Sequence, residues 1–414
     1  MTQKTLGEVA DYINGRAFKP DEWEDDGLPI IRIQNLTGST DVCNRTTKTY
    51  EKKYLVIDGD LLFAWSASLG AHIWHGENGW LNQHIFKVVP HDGTDKQYLY
   101  YYLLHVVDQL YAKTHGSGMV HITLKPFKNT EIYLPSLPEQ HRIVTRIESL
   151  FSKLDEAKEK AQAVVDGFEL RKSAILHKAF TGELTERWRK EHGVGLDSWK
   201  TVPFNDCIQK MQNGLAKRNG NIGKSYVVLR LANLTEDGFD TSDLREILLD
   251  EKEQESYSLA ENDVIMVRVN GSKDIVGRQL LVPKIENWAF CDHIIRIHYQ
   301  NNILPDYMIM FSKSDRYRAY VKGHMVSSAG QNTISRKGMA NMVVPIPEED
   351  EQRKIVRLLS IIFSKERQIK EAAEVVLAQI DTMKKAILAR AFRGELGTND
   401  PKEESMGELL RSIL

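Results

Sequence analysis

The sequence predicts an α+β chain with an internal repeat: two domains of mixed α/β texture and two long helices with coiled-coil seams. Three features carry this reading. The stretch KSAILHKAFTGEL at Lys172 returns as KKAILARAFRGEL at Lys384. In the same gapless alignment Pro135 matches Pro347, EQHRIV at Glu139 matches EQRKIV at Glu351, and FSK at Phe151 matches FSK at Phe363. Ahead of each copy lies a strand-rich segment, and the two segments echo each other more faintly, which is the pattern of a duplicated unit.

In chain order, the first domain is expected over 1–137 and the second over 194–349. Their echoes are LPIIRIQNL at Leu28 with YVVLRLANL at Tyr226, DGDLLFAW at Asp58 with ENDVIMVR at Glu261, and NQHIFKV at Asn82 with CDHIIRI at Cys291. A fourth pairs GSGMVHITLKPFKN at Gly116 with SAGQNTISRKGMAN at Ser328.

The helices are expected within 138–193 and 350–400, with a tail over 401–414. Ile143, Ile147, Leu150, Leu154, Ala157, Ala161, Val164 and Phe168 alternate steps of four and three, the a/d seam of a coiled coil. Ile355, Leu359, Ile362, Glu366, Ile369, Ala373, Val376, Ile380, Met383 and Ile387 repeat that phase. Ser136 and Glu139 have capping-box spacing, and Gly182 and Gly394 stand where left-handed C-terminal caps belong. Each helix would run on the order of 60 Å at about 1.5 Å per residue.

The 414 residues are 42% hydrophobic and 27% charged, ordinary for a globular protein of two or three domains. No signal-peptide pattern or bilayer-length apolar run is present, so a cytoplasmic protein without membrane association is expected. Cys43, Cys207 and Cys291 lie far apart without CxxC, so reduced thiols and no structural zinc are expected. With a net charge of −2, any nucleic-acid role must use local basic clusters or a partner's charge.

Catalytic motifs are missing. GKS at Gly223 lacks the P-loop's leading glycine, since Arg218 stands there, and the residues after it read as a strand. PDEWEDD at Pro20 with EKK at Glu51 fits a nuclease arrangement only loosely. There is no HExxH, no Pro-Pro pair of the kind amino-methyltransferases use, and no G-x-G-x-x-G. No enzyme activity and no bound cofactor are expected of this chain.

The layout, with LPEQHRIVTRIESLFSKLD, RKSAILHKAFTGELTERW, DVIMVRVNGSKDIVGR and AGQNTIS, resembles the specificity subunits of type I restriction-modification enzymes. The resemblance implies two target recognition domains, each reading half of a bipartite sequence in double-stranded DNA. They are separated by two antiparallel conserved helices that dock two methyltransferase subunits and set the spacer. S-adenosylmethionine is then expected on the methyltransferase partner, and whether restriction subunits join stays open. One departure is that the first domain lacks the Trp lead found in WKTVPF at Trp199. The alternative is a coiled-coil scaffold whose two domains bind proteins.

Arginine favours guanine, and Asn or Gln favours adenine, so DNA readers are sought in polar loops beside strands. In the first domain these are Trp65, Ser66, Ser68 and His72, with His115, Ser117, His121 and Lys125. In the second they are Arg268, Asn270, Ser272, Lys273 and Arg278, with Ser328, Gln331, Asn332, Arg336 and Lys337. Arg32 and Arg230 are equivalent and fit either DNA contact or a structural ion pair, while His84 and His293 read as core histidines. Ordinary turn chemistry is the competing explanation for the loop residues.

Arg171 and Glu366 are the charged exceptions in the seam, aligned with Met383 and Leu154. An antiparallel pairing about the helix midpoints brings them within roughly one turn. The expected pairing set is therefore Ile143, Ile147, Leu150, Leu154 and Arg171 with Ile355, Leu359, Ile362, Glu366 and Met383.

Overall fold

The computed structural model describes residues 2–112, 121–236 and 238–398. The chain divides into two compact units, one drawn from Met1–Gln162 with Glu374–Leu414, the other from Ala163–Ala373. Each unit takes a portion of both long helices, because apolar seam residues enter the domain cores.

The first unit holds a four-stranded antiparallel sheet in the order Ala10–Asn14, Ile85–Pro90, Leu61–Ala64, Gly70–Ile73. The second repeats it as Ile208–Asn213, Ile294–Tyr299, Val264–Val267, Gln279–Leu281. Leu61–Ala64 and Val264–Val267 are buried at every position, as short unbroken apolar runs should be. A smaller sheet in each unit centres on a parallel pair, Leu28–Ile31 with Gly79–Leu81 and Lys224–Leu229 with Trp288–Phe290. Thr2–Thr5 pairs with Glu131–Leu134 in one unit, and Lys200–Pro203 with Val343–Ile346 in the other. The faint sequence echoes therefore mark strands that share one topology. The GKS segment runs into the strand Lys224–Leu229, which leaves no helix N-terminus for a phosphate.

The second helical copy is one continuous helix, Glu349–Phe392. The first departs from expectation by dividing into Leu137–Asp166 and Phe168–Phe180. Gly167 lies between them at φ −77° and ψ −5°. Glycine costs about 1 kcal/mol in a helix interior relative to alanine, and the second copy has Gln379 at the aligned position. Backbone bonds still bridge the break, from Gly167 N–H to Ala163 O and from Arg171 N–H to Gly167 O, both 3.0 Å. Gly182 and Gly394 follow the helical ends with φ of +87° and +76°.

Ile143, Ile147, Leu150 and Leu154 join Ile380, Met383 and Ile387 in the first unit's core. Ile355 and Leu359 join Leu176, Ala179 and Phe180 in the second. The expected unbroken stripe along the distal helix is not found. Ile362 is only half-buried, Ile369 is 50% exposed and Val376 37%, because the stripe is covered only where a domain core reaches it. In the second unit Arg171 Nε donates to Glu366 Oε2 at 2.8 Å, and Lys370 Nζ lies 4.9 Å from the centre of the Phe168 ring. Numbers rise on one helix as they fall on the other, so the two run antiparallel there.

A buried network closes the junction between the first helical copy and the second domain. Glu351, 1% exposed, accepts from Arg189 Nη1 (2.7 Å), Thr185 Oγ1 (2.6 Å) and Trp199 Nε1 (2.8 Å). Arg189 Nη2 also donates to Gly182 O at 2.7 Å. Every charge is thereby matched, the condition under which a buried ion pair is tolerated. Among the described residues no helix is long and apolar enough to cross a membrane.

Candidate nucleic-acid interface

The same backbone clamp ends the central strand in both units. In the first, Trp65 N–H donates to His84 O and Trp65 O accepts from Ile122 N–H, each at 3.1 Å. In the second, Arg268 N–H donates to His293 O at 2.8 Å and Arg268 O accepts from Ile334 N–H at 3.0 Å. Trp65 and Arg268 therefore occupy one frame position and differ completely in side chain. The indole donates to Asn14 Oδ1 at 2.9 Å and stacks on Phe86, with centroids 5.8 Å apart. The guanidinium donates from Nη1 to Asp292 O at 3.2 Å and is partly exposed.

Beyond Arg268 the chain forms a small three-stranded sheet in the order Val269–Asn270, Gln331–Thr333, Val326–Ser328. Asn270 Oδ1 accepts from Ser272 N–H at 2.8 Å, shaping the adjoining turn. Ser335 caps the short helix Arg336–Met339 by accepting from Gly338 N–H at 2.9 Å. Ser272, Lys273, Ser328, Gln331, Arg336 and Lys337 are exposed around this sheet. Asn332 is not: it is 6% exposed, and its amide donates to Gly271 O (2.8 Å) and Asn270 O (3.3 Å). Its Oδ1 lies 2.6 Å from Ser327 Oγ. Its polar atoms are committed to holding the sheet together, which corrects its assignment as a reader. Arg278 is also elsewhere, donating to Thr235 O at 3.1 Å and lining a cavity of about 390 Å³ with Lys172, Asp315 and Arg318.

In the first unit Ser68 and Lys125 are exposed, while Trp65, His72 and His121 are partly buried. Ser66 is 2% exposed and bridges to His121 through the backbone, so it cannot face a ligand. His115 and Ser117 lie outside the described residues. Burial holds the imidazoles of His72 and His84 below their ordinary value of 6.5, with Arg32 adding a smaller push at His84. Arg32 lies over Trp23, while Arg230 pairs with Asp243 at 2.9 Å. Val326 and Thr333 also lie on this sheet, on two paired strands of three residues each that read as turn in the sequence.

Cys291, Asp292 and His293 bring three potential metal-ligating atoms within 4.8 Å of one another. Arg218 lies 3.4 Å from the Asp292 carboxylate, and burial pushes the Cys291 thiol up. A metal needs the thiolate, so both features work against an ion there.

Residues 1–165 match the family described as Type I restriction modification DNA specificity domain. The StySPI specificity subunit of Salmonella potsdam, a type I restriction enzyme component, is 27% identical over 94% of this chain and 88% of its own length. The EcoBI specificity subunit of Escherichia coli is 26% identical over 95% of this chain and 85% of its own. Among solved structures, the HsdS subunit from Thermoanaerobacter tengcongensis superposes with a TM-score of 0.65, covering 95% of this chain and 97% of that one at 18% identity. A chain from a study of type I restriction-modification complex assembly gives 0.62, with 95% and 98% coverage at 18% identity. Those two likenesses establish the α+β fold.

Proposed function

We propose that the chain is a specificity subunit of a type I restriction-modification system and that it reads a bipartite duplex target, one half with each unit. The observation that carries this is the shared clamp: the same backbone frame presents Trp65 in one unit and Arg268 in the other. A frame kept for structure and a rim altered in chemistry suit two different half-sites. Arginine is the favoured partner of guanine, whereas an indole offers one donor and a flat apolar face. Exposed Lys273, Arg336 and Lys337 would hold phosphates, which fix register without carrying sequence information.

In this reading the chain performs no chemistry. Two methyltransferase subunits dock on its helices, carry S-adenosylmethionine and modify the DNA that it selects. Methylome sequencing tests this in cells that carry the chain with its methyltransferase. A split methylated motif that disappears on deletion of this gene is expected. A motif unchanged by deletion would overturn the reading.

A further inference from the structure

We infer that the hairpin Val326–Thr333 is the element with which the second unit reads an A·T pair in the major groove, with Gln331 contacting the adenine. The inference rests on the DNA-reading function above and deepens it to one element and one base pair.

The hairpin is a preorganised ribbon. Ala329 and Gly330 form a two-residue turn with φ of +48° and +76°, the left-handed pair that matches the twist of the flanking strands. Three cross-strand pairs adjoin it, Ser328 with Gln331, Ser327 with Asn332, and Val326 with Thr333. Alternation puts Ser327 and Asn332 on one face and the other two pairs on the opposite face. The first face is fastened, since Asn332 ties the ribbon to the backbone of Asn270 and Gly271.

The opposite face is presented. Val326 is 69% exposed, and Ser328 and Gln331 are exposed beside the turn. Among the described residues the Gln331 amide makes no hydrogen bond, so a donor and an acceptor stand free on a rigid support. That is the pattern adenine offers in complement at N7 and N6, while the Val326 and Thr333 methyl groups suit a thymine methyl. The third strand of the sheet meets only Asn332 and Thr333, so at Gln331 the element is two-stranded, and a two-stranded ribbon fits the major groove. Exposed Lys273, Arg336 and Lys337 supply cations for the flanking phosphates.

The test uses the full complex with its methyltransferase subunits on a library of randomised duplexes, read by methylation. The half belonging to the second unit is identified as the half that changes when residues 201–345 are exchanged for those of a relative. Gln331→Ala is expected to relax preference at one A·T position of that half by roughly 5- to 100-fold, leaving the other half and the melting temperature unchanged. Asn332→Ala, which unfastens the ribbon, is expected to relax the same position and its neighbours. An unchanged motif with Gln331→Ala, or a change confined to the other half, would overturn the assignment. If the wild-type complex itself shows no split motif, the functional reading falls and this inference falls with it.

Discussion

The two units build one turn from different residues. Asp60 follows Gly59 at φ +79° and accepts from Ile57 N–H at 2.9 Å; Asp263 follows Asn262 at φ +70° and accepts from Ala260 N–H at 3.0 Å. Glycine and asparagine are the residues that tolerate this left-handed backbone. Each aspartate then faces a cation on the neighbouring long strand, Lys87 at 2.6 Å in the first unit and Arg296 at 3.7 Å in the second. Arg32 and Arg230 show the same economy, with each backbone N–H donating at 3.0 Å to the asparagine three residues on. Duplication has therefore kept the physical requirement at these frame positions, sometimes with the same residue, as at Arg32 and Arg230, and sometimes with another, as at Gly59 and Asn262. At Trp65 and Arg268 only the backbone requirement is shared, and the side chains are free to differ.

The units part company most clearly at the glutamate that opens each helical copy. Glu351 is buried under Arg189, Thr185 and Trp199, whereas Glu139 is only half-buried. Removing one partner of a buried pair strands the other charge and costs about 3–5 kcal/mol. Arg189→Leu should therefore destabilise the second unit by about that amount, while Glu139→Ala should stay within about 0.5 kcal/mol. Denaturant unfolding followed by unit-resolved hydrogen exchange measures both. Equal costs would mean that the network contributes nothing specific.

The seam provides a smaller contrast. Arg171 is 37% exposed at its side chain and Glu366 18%, so solvent screens their pair. Arg171→Met and Glu366→Leu should each destabilise by about 1 kcal/mol, and the double variant should recover most of the loss because it restores an apolar seam. Strict additivity in that cycle would show that the two side chains do not act as a pair.

The isolated chain should bind its own site weakly, since a net charge of −2 leaves few uncompensated cations for phosphates. A gel-shift titration at about 0.15 M salt checks this, and nanomolar specific binding without partner subunits would contradict it.

The smallest expected effect separates the units by pH. His72, His84 and His105 of the first unit have imidazoles held down chiefly by burial. A depressed histidine binds its proton more readily in the unfolded chain. The first unit should therefore keep its full stability above the ordinary value of 6.5 and lose some as pH falls below it. Hydrogen exchange at pH 7.5 and pH 5.5 reads this, and greater protection of that unit at the lower pH would refute it.

Much of this architecture was legible in sequence for a physical reason. A helix seam needs apolar residues at fixed spacing, and a buried strand such as Val264–Val267 needs an unbroken apolar run. Gly167 shows where that legibility ends: its seam neighbours read as continuous helix, yet the helix divides at this glycine, where Arg171 Nη2 also donates to Val164 O. The candidate interface was harder to read because Asn332 and Gln331 are adjacent polar residues with opposite fates. Hairpin register alone decides that one is buried as a clamp and the other faces solvent. Trp199 was visible as a lead residue, but its partner Glu351 is remote in sequence, so the network could not be read from either residue alone.

If the two units read independently, exchanging one of them must alter one half-site alone. Residues 201–345 are replaced by the matching segment of a relative with a different target, and the methylated motif is read in the assembled complex. One half of the motif should become that of the relative while the other half is retained base for base. A motif altered in both halves, or in neither, would contradict it.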